Sequence, residues 1–184
     1  MLQYPWLLLK ILLLLNPQLQ ISSTRAQTSE HFHRYEDNSG FSCDFPEHWD
    51  FSQTAEGDRV FGDKTKKYPE ATIIIQVIDR SLAKLKTVKE QLDDLANQIR
   101  AVTDGAIVAQ STAPFAGQDA PYFVATYTTK DTTGILRPFK HIQAVLVWGN
   151  YFLVMSYSAP VDEFDVNLKV FQNCAATMQL TKLQ

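Results

Sequence analysis

The chain has 184 residues, of which 45% are hydrophobic and 20% charged, with 7 Gly and 8 Pro. This is the composition of one globular domain of ordinary size, and it excludes a disordered, collagen-like or low-complexity chain. Its 17 Lys+Arg against 20 Asp+Glu give a formal charge of -3, which argues against nucleic-acid binding, because neutralising phosphates takes a basic excess.

The first segment reads as a targeting signal. Residues 6–15 are apolar apart from Lys10, a run of signal-peptide length (~7–15 residues) and short of the ~20 needed to cross a bilayer. Asn16, Pro17, Gln18 and Gln20 end the run, and Thr24 and Ala26, small residues two apart, suit signal peptidase. Residues 1–26 are therefore expected to be removed, leaving Gln27 as the N-terminus of a protein exported to the periplasm or the extracellular space. No basic residue precedes the apolar run and Lys10 interrupts it, so an uncleaved anchor or an ordinary N-terminal helix are the alternatives. No Cys follows the run, so lipid attachment is not indicated. Removal takes away Lys10 and Arg25 and no acid; the more acidic remainder favours solubility over adhesion to anionic lipid.

Residues 27–34 read as a polar lead-in, and 35–184 as a single domain without internal repeat. Glu36-Asp37-Asn38-Ser39-Gly40 is dense in turn formers, with Gly40 suited to a positive φ. Phe41, Cys43 and Phe45 then alternate on one strand face, and Pro46 ends that strand. Trp49 follows as a plug for the core, and residues 51–53 and 59–61 form a hairpin about Glu56-Gly57-Asp58. After a polar loop at 64–69, residues 72–78 are almost wholly β-branched, as in a central strand covered on both faces.

Thr87 and Glu90 form a capping box, behind which Val88, Leu92, Leu95, Ala96, Ile99 and Val102 share one helical face until Gly105. Strands at 107–114, 122–129, 140–148 and 151–158 follow, with tight turns at Gly117-Gln118 and Gly149-Asn150 and a longer link at 131–138. Pro160 suits the first turn of a second helix carrying Phe164, Leu168, Phe171 and Ala175. Asp162, Glu163 and Asp165 lie near its start, where the helix dipole favours acids. Residues 178–180 close with a short edge strand. The order describes an α+β domain: an antiparallel meander packed against two main helices.

Chemistry is sparse. The chain has no Gly-rich strand-to-helix loop, His-Glu-x-x-His, Gly-x-Ser-x-Gly or Cys-x-x-Cys, so no catalytic residue and no cofactor is assigned and a non-enzymatic role is expected. His31 and His33 are the weak candidates for a metal site, with Glu30 nearby; the alternative is a solvated tail. Asp162, Glu163 and Asp165 suggest calcium only weakly, because EF-hand spacing is missing. Cys43 and Cys174 are either a disulfide, as an oxidising compartment allows, or two buried thiols acting as small hydrophobes. Of the aromatics on the meander (Tyr122, Phe123, Tyr127, Phe139, Trp148, Tyr151, Phe152 and Tyr157), half should point to each face. A solvent-facing row would be a binding surface; otherwise helices cover both. A deep apolar pocket with convergent polar groups would favour a further alternative, a small-ligand carrier or an unrecognised enzyme.

Tyr35, Gly40-Phe41, Phe45-Pro46 and Trp49 resemble the Gly-Phe-x-x-x-Tyr/Phe-Pro-x-x-Trp opening of the PsbP-like and DcrB-like families. The apolar strand at 73–78, the helix after Thr87, Gly117 before Tyr122, Tyr151, Tyr157-Ser158-Ala159-Pro160, Phe164 and Phe171 extend the resemblance from Tyr35 to Leu180. It implies an α/β/α sandwich used for protein docking rather than catalysis. PsbP is an extrinsic luminal subunit of photosystem II that supports calcium and chloride retention, DcrB-like members are bacterial envelope proteins, and other relatives are intracellular chaperones or GTPase partners. The export signal disfavours the intracellular use. The short lead-in before Tyr35, and the lack of the Cys that anchors cyanobacterial relatives, disfavour the photosystem use, which stands as the alternative with the thylakoid lumen as its compartment. The expectation is a monomeric exported accessory domain with a protein partner.

Overall fold

A computed structural model describes residues 31–66, 70–131 and 133–181. The expected signal segment and cleavage site lie outside them, and among the described residues no helix is long and apolar enough to cross a membrane. In chain order the elements are β1 (Phe32–Glu36), β2 (Phe41–Pro46), β3 (Trp49–Gln53), β4 (Arg59–Asp63), β5 (Thr72–Asp79), α1 (Val88–Arg100), β6 (Ala106–Phe115), β7 (Gln118–Lys130), β8 (Leu136–Trp148), β9 (Tyr151–Pro160), α2 (Val161–Thr177) and β10 (Gln179–Leu180).

Seven strands pair in the order β3-β4-β5-β9-β8-β7-β6, and a second sheet has the order β1-β2-β10. All pairs are antiparallel. The larger sheet is built from the meander β6–β9 with the β3–β5 ribbon added at β9, where Thr72 pairs with Ser158 and Asp79 with Tyr151. β9 therefore lies mid-sheet, and most of its residues are buried whichever way they point. Continuous burial of this kind selects its run of Phe152, Leu153, Val154 and Met155.

The expected capping box starts α1: Thr87 Oγ1 accepts from the Glu90 amide at 3.1 Å, and the Glu90 carboxylate accepts from the Thr87 amide at 2.9 Å. The helix ends where Gly105 passes so close that a Cβ there would meet the Ile99 carbonyl oxygen at 1.8 Å; only glycine allows that return. Leu92, Leu95, Ala96 and Ile99 pack on one face of the larger sheet, against Phe123, Ala125, Val145, Phe152 and Val154.

The opposite face carries Phe61, Ile73, Ile75, Leu146, Leu153, Met155 and Tyr157, and it is covered jointly by α2 and the small sheet. Here Phe41, Cys43 and Phe45 of β2 meet Phe164, Val170, Phe171 and Cys174 of α2. Polar bonds flank this seam: the Asp44 amide donates to Thr177 Oγ1 at 3.0 Å, Asn173 Nδ2 to the Asp44 carbonyl at 3.1 Å, and Arg34 to the Thr177 carbonyl at 3.0 Å. The Tyr157 hydroxyl donates to the Phe164 carbonyl at 2.6 Å and fastens α2 to the sheet.

The two sheets are latched by a buried ion pair. Arg59 of β4 donates from Nε and Nη2, each at 2.7 Å, to both oxygens of Asp37 in the turn after β1. Tyr35 and Ser39 donate to the same carboxylate. Gly40 (φ 91) closes that turn, as its sequence anticipates. Burial alone would raise the Asp37 carboxyl, but the hydrogen bonds from Arg59, Ser39 and Tyr35 outweigh it and hold the pKa at about 2.

Several expectations are corrected. The polar lead-in is a strand from Phe32 onward, because its backbone completes the edge of β2. The antiparallel layer is two sheets rather than one: a single helix is too narrow to cover seven strands, and the small sheet fills the remainder. The β6–β7 turn is Ala116-Gly117, with Phe115 opposite Gln118, so Gln118 already belongs to a strand. Val102 lies past the helix end and is 46% exposed. β5 is fully buried on the α2 side at Ile73 and Ile75, whereas Ile74, Gln76 and Ile78 on the other side are half-covered, Ile78 alone of them joining the cluster beneath α1.

Cys43 and Cys174 are fully buried free thiols in the same core cluster. Burial, and then the Cys43 thiol beside it, push the Cys174 thiol well above the ordinary range, so Cys174 stays protonated.

Three measurements check this packing. Trp49 is 1% exposed and stacks with Phe45, so Trp49→Ala should lower unfolding stability by roughly 3–5 kcal/mol in urea. Asp37→Asn should cost about 3 kcal/mol at neutral pH by stranding the Arg59 charge. Because the native Asp37 pKa lies below its unfolded value, the parent gains stability above about pH 4 and loses it as pH falls toward about 2; the variant should show a flatter acid limb in that window. A thiol reagent should find no reactive cysteine in the native protein and two in the denatured, unreduced protein. Zero in the denatured form would mean that Cys43 and Cys174 are bridged.

Candidate functional site

The β7–β8 hairpin outgrows its neighbours and ends in a tightly held tip. Asp131 Oδ1 accepts from the Thr133 amide at 2.8 Å, the Thr133 hydroxyl at 2.6 Å and the Ile135 amide at 2.9 Å, while the Asp131 amide donates to the Ile135 carbonyl. These bonds, the Thr133 hydroxyl foremost, hold the Asp131 carboxyl below its ordinary value. Arg137 then clamps the hairpin to the body, reaching Glu70 at 2.6 Å and both oxygens of Asp162 at 2.9 and 3.0 Å. Beside this clamp Ile135 and Leu136 stand 63% and 62% exposed, with Val161 of the adjoining helix start at 48%. Consecutive branched apolar side chains presented to water beside these bonds are an arrangement suited to contact rather than to chemistry.

A second feature is a cleft of about 650 Å³ between α2 and strands β6, β7 and β8. Ala113, Ala120, Tyr122, Ile142 and Ala144 form its floor, and Phe164, Leu168, Phe171 and Ala175 its wall. It exists because α2 lies mainly over β2 and β9 and approaches β7 less closely, while alanines on both sides are too short to close the gap. The Ala116 amide ties the β6–β7 turn to the Ala175 carbonyl at 3.1 Å. Toward the start of α2 the Lys140 ammonium lies 4.5 Å from the centre of the Phe164 ring.

A third feature is a polar cluster inside the α1 face. His141, 8% exposed, has Nδ1 at 2.6 Å from Ser158 Oγ and Nε2 at 2.9 Å from Gln143 Oε1. An amide oxygen only accepts, so Nε2 carries the proton and Nδ1 accepts from the serine hydroxyl. Burial pushes the His141 pKa down and keeps the ring neutral. Ser158 sits between Thr72 and His141 in the sheet, where ladder bonds occupy the amides that an oxyanion would need. The arrangement is a satisfied polar cluster within the core.

The residues singled out in the sequence are dispersed. His31 and His33 are exposed at the small sheet's edge, and among the described residues no group of three His, Cys, Asp or Glu is arranged to hold a metal; Glu30 lies outside them. Asp162 and Glu163 occupy the first turn of α2 and are paired with Arg137 and Lys66. The meander aromatics are buried or half-buried on both faces, so they form no solvent-facing row. The tip had a sequence signal, namely Ile135-Leu136 inside an otherwise polar glycine-containing link. The cleft had none, because its lining converges from four elements.

The family model described as PsbP matches residues 30–180. No curated protein matches the chain. Among solved structures, one from Bacteroides thetaiotaomicron superposes with a TM-score of 0.54 at 14% identity, covering 81% of this chain and 48% of that one; this chain thus spans about half of that protein's length. Cyanobacterial PsbP (CyanoP) of Synechocystis matches with a TM-score of 0.52 at 15% identity, covering 88% of this chain and 99% of its own. The Ran-binding protein Mog1p of Saccharomyces cerevisiae gives 0.56 at 11% identity, covering 83% and 96%. At such identities the structural likeness shows the fold alone. The match of the family model, running through the small sheet, the larger sheet and both helices, carries the assignment: the chain belongs to the PsbP family.

Proposed function

We propose that this protein is an exported, non-catalytic accessory domain that docks onto a protein partner through the β7–β8 tip. The observation that carries this reading is the exposure of Ile135 and Leu136 beside the hydrogen bonds of Asp131 and the ion pairs of Arg137. Burying each side chain in a partner is worth ~1.5–3 kcal/mol. Export rests on residues 1–26 and on the Thr24-x-Ala26 site. The non-catalytic reading is supported by the neutral, fully engaged His141 cluster.

The test is capture from the protein's own envelope fraction with the natural, processed chain, whose intact mass should begin at Gln27. The partner identified should be an exported or membrane-facing protein, and recovery of photosystem II subunits would specify the photosystem alternative. Ile135→Ser combined with Leu136→Ser should abolish capture, with unfolding stability within about 0.5 kcal/mol of the parent, as for surface substitutions. Undiminished capture by that variant would overturn the docking site, and Met1 retained in a membrane fraction would overturn export with cleavage.

A further inference from the structure

We propose that the cleft between α2 and strands β6–β8 binds a single-chain amphiphile with an anionic head, a long-chain carboxylate being the simplest case. This goes beyond partner docking, since it uses a different face. The volume of about 650 Å³ lies within the ~300–1,000 Å³ typical of small-molecule sites. From Phe164 to Ala175 the cleft follows α2 for about 17 Å, a shape suited to an alkyl chain rather than to a compact ring system. Apart from Gln172 on the α2 wall and Lys140, its lining is alanine, proline, glycine, valine, isoleucine, leucine and aromatic residues, so a chain lying there displaces water from mainly apolar surface on both sides.

The head group follows from charge. Lys140 is the one charged residue lining the cleft, and among the described residues no carboxylate lies within 4 Å of its ammonium. The nearby acids of the α2 start are engaged elsewhere, Asp162 by Arg137 and Glu163 by Lys66. The ammonium instead rests over the Phe164 ring at the end of the apolar trough, where a carboxylate would replace a weak cation–π contact with a charge-assisted hydrogen bond. An extended peptide is the poorer occupant of the trough. It would need main-chain partners there, and those of β7 and β8 are used in their ladders with β6, β9 and each other, while the unpaired groups of the edge strand β6 lie along the sheet's outer rim.

Dodecanoate and dodecyltrimethylammonium carry the same alkyl chain with opposite head charge, and both can be titrated below micelle formation against the natural, processed chain by calorimetry. Dodecanoate should bind one per chain and at least tenfold more tightly than the cation. Lys140→Glu should reverse that order. Leu168→Trp should abolish binding of both by filling the trough; if that variant loses its cooperative unfolding transition, Ala113→Phe on the edge strand makes the same test. The docking variant at Ile135 and Leu136 should bind dodecanoate like the parent, which separates failure of this site from failure of the docking reading. Absence of dodecanoate binding, unsaturable uptake, equal affinity for the two heads, or indifference to Lys140→Glu would overturn the proposal.

Discussion

The seven-stranded sheet is apolar on both faces, and the rest of the molecule is arranged to cover it. β9 alone places Phe152 and Val154 on one side and Leu153, Met155 and Tyr157 on the other, all buried. Exposing either row to water would forfeit ~25 cal/mol per Å² of buried apolar area. The α1 side needs only a short helix over β6–β8, because half of that face carries polar residues that satisfy one another: His141 with Gln143 and Ser158, and Gln76 with Asp58. The other side is apolar from Trp49 to Phe115. It takes a 17-residue helix together with the three-stranded sheet.

This division of labour explains why the small sheet is held so firmly. A three-stranded ribbon has little core of its own, so it is fixed at its turn and at its middle by polar groups that compete poorly with water unless buried. Asp37 and Arg59 pin its turn to β4 with side-chain exposures of only 6% and 15%. Asn173, Thr177 and Arg34 pin its middle to α2. Cys43 and Cys174 meet between these two fastenings because Phe41, Cys43 and Phe45 must face the stripe of α2.

Features available for recognition arise where the covers stop. α2 follows β2 and β9 and approaches β7 less closely, which leaves the apolar cleft; the β7–β8 hairpin leaves Ile135 and Leu136 in water. Membership of the PsbP family accounts for the scaffold. Function lies in such local departures, because one fold carries many roles.

Local chemistry was legible in the residues themselves. The Thr87–Glu90 box, the Gly40 and Gly149 turns, the alternation of Phe41, Cys43 and Phe45, the stripe from Phe164 to Phe171 and the edge strand at the C-terminal end are each decided within a few residues. Periodicity and turn stereochemistry act at that range, and the α+β class and family resemblance follow from their order. Partnership between distant segments was not legible. Nothing local announces that Phe32–Glu36 is a strand, since its pattern is almost wholly exposed and only pairing with β2 makes it one. The same limit hid the split into two sheets, the Asp37–Arg59 latch across 22 positions and the cleft lined by scattered alanines. The sequence determined which residues seek burial and how each short segment bends; tertiary structure decided what they bury against and where the covering falls short, because a void is a property of several surfaces meeting and belongs to no single segment.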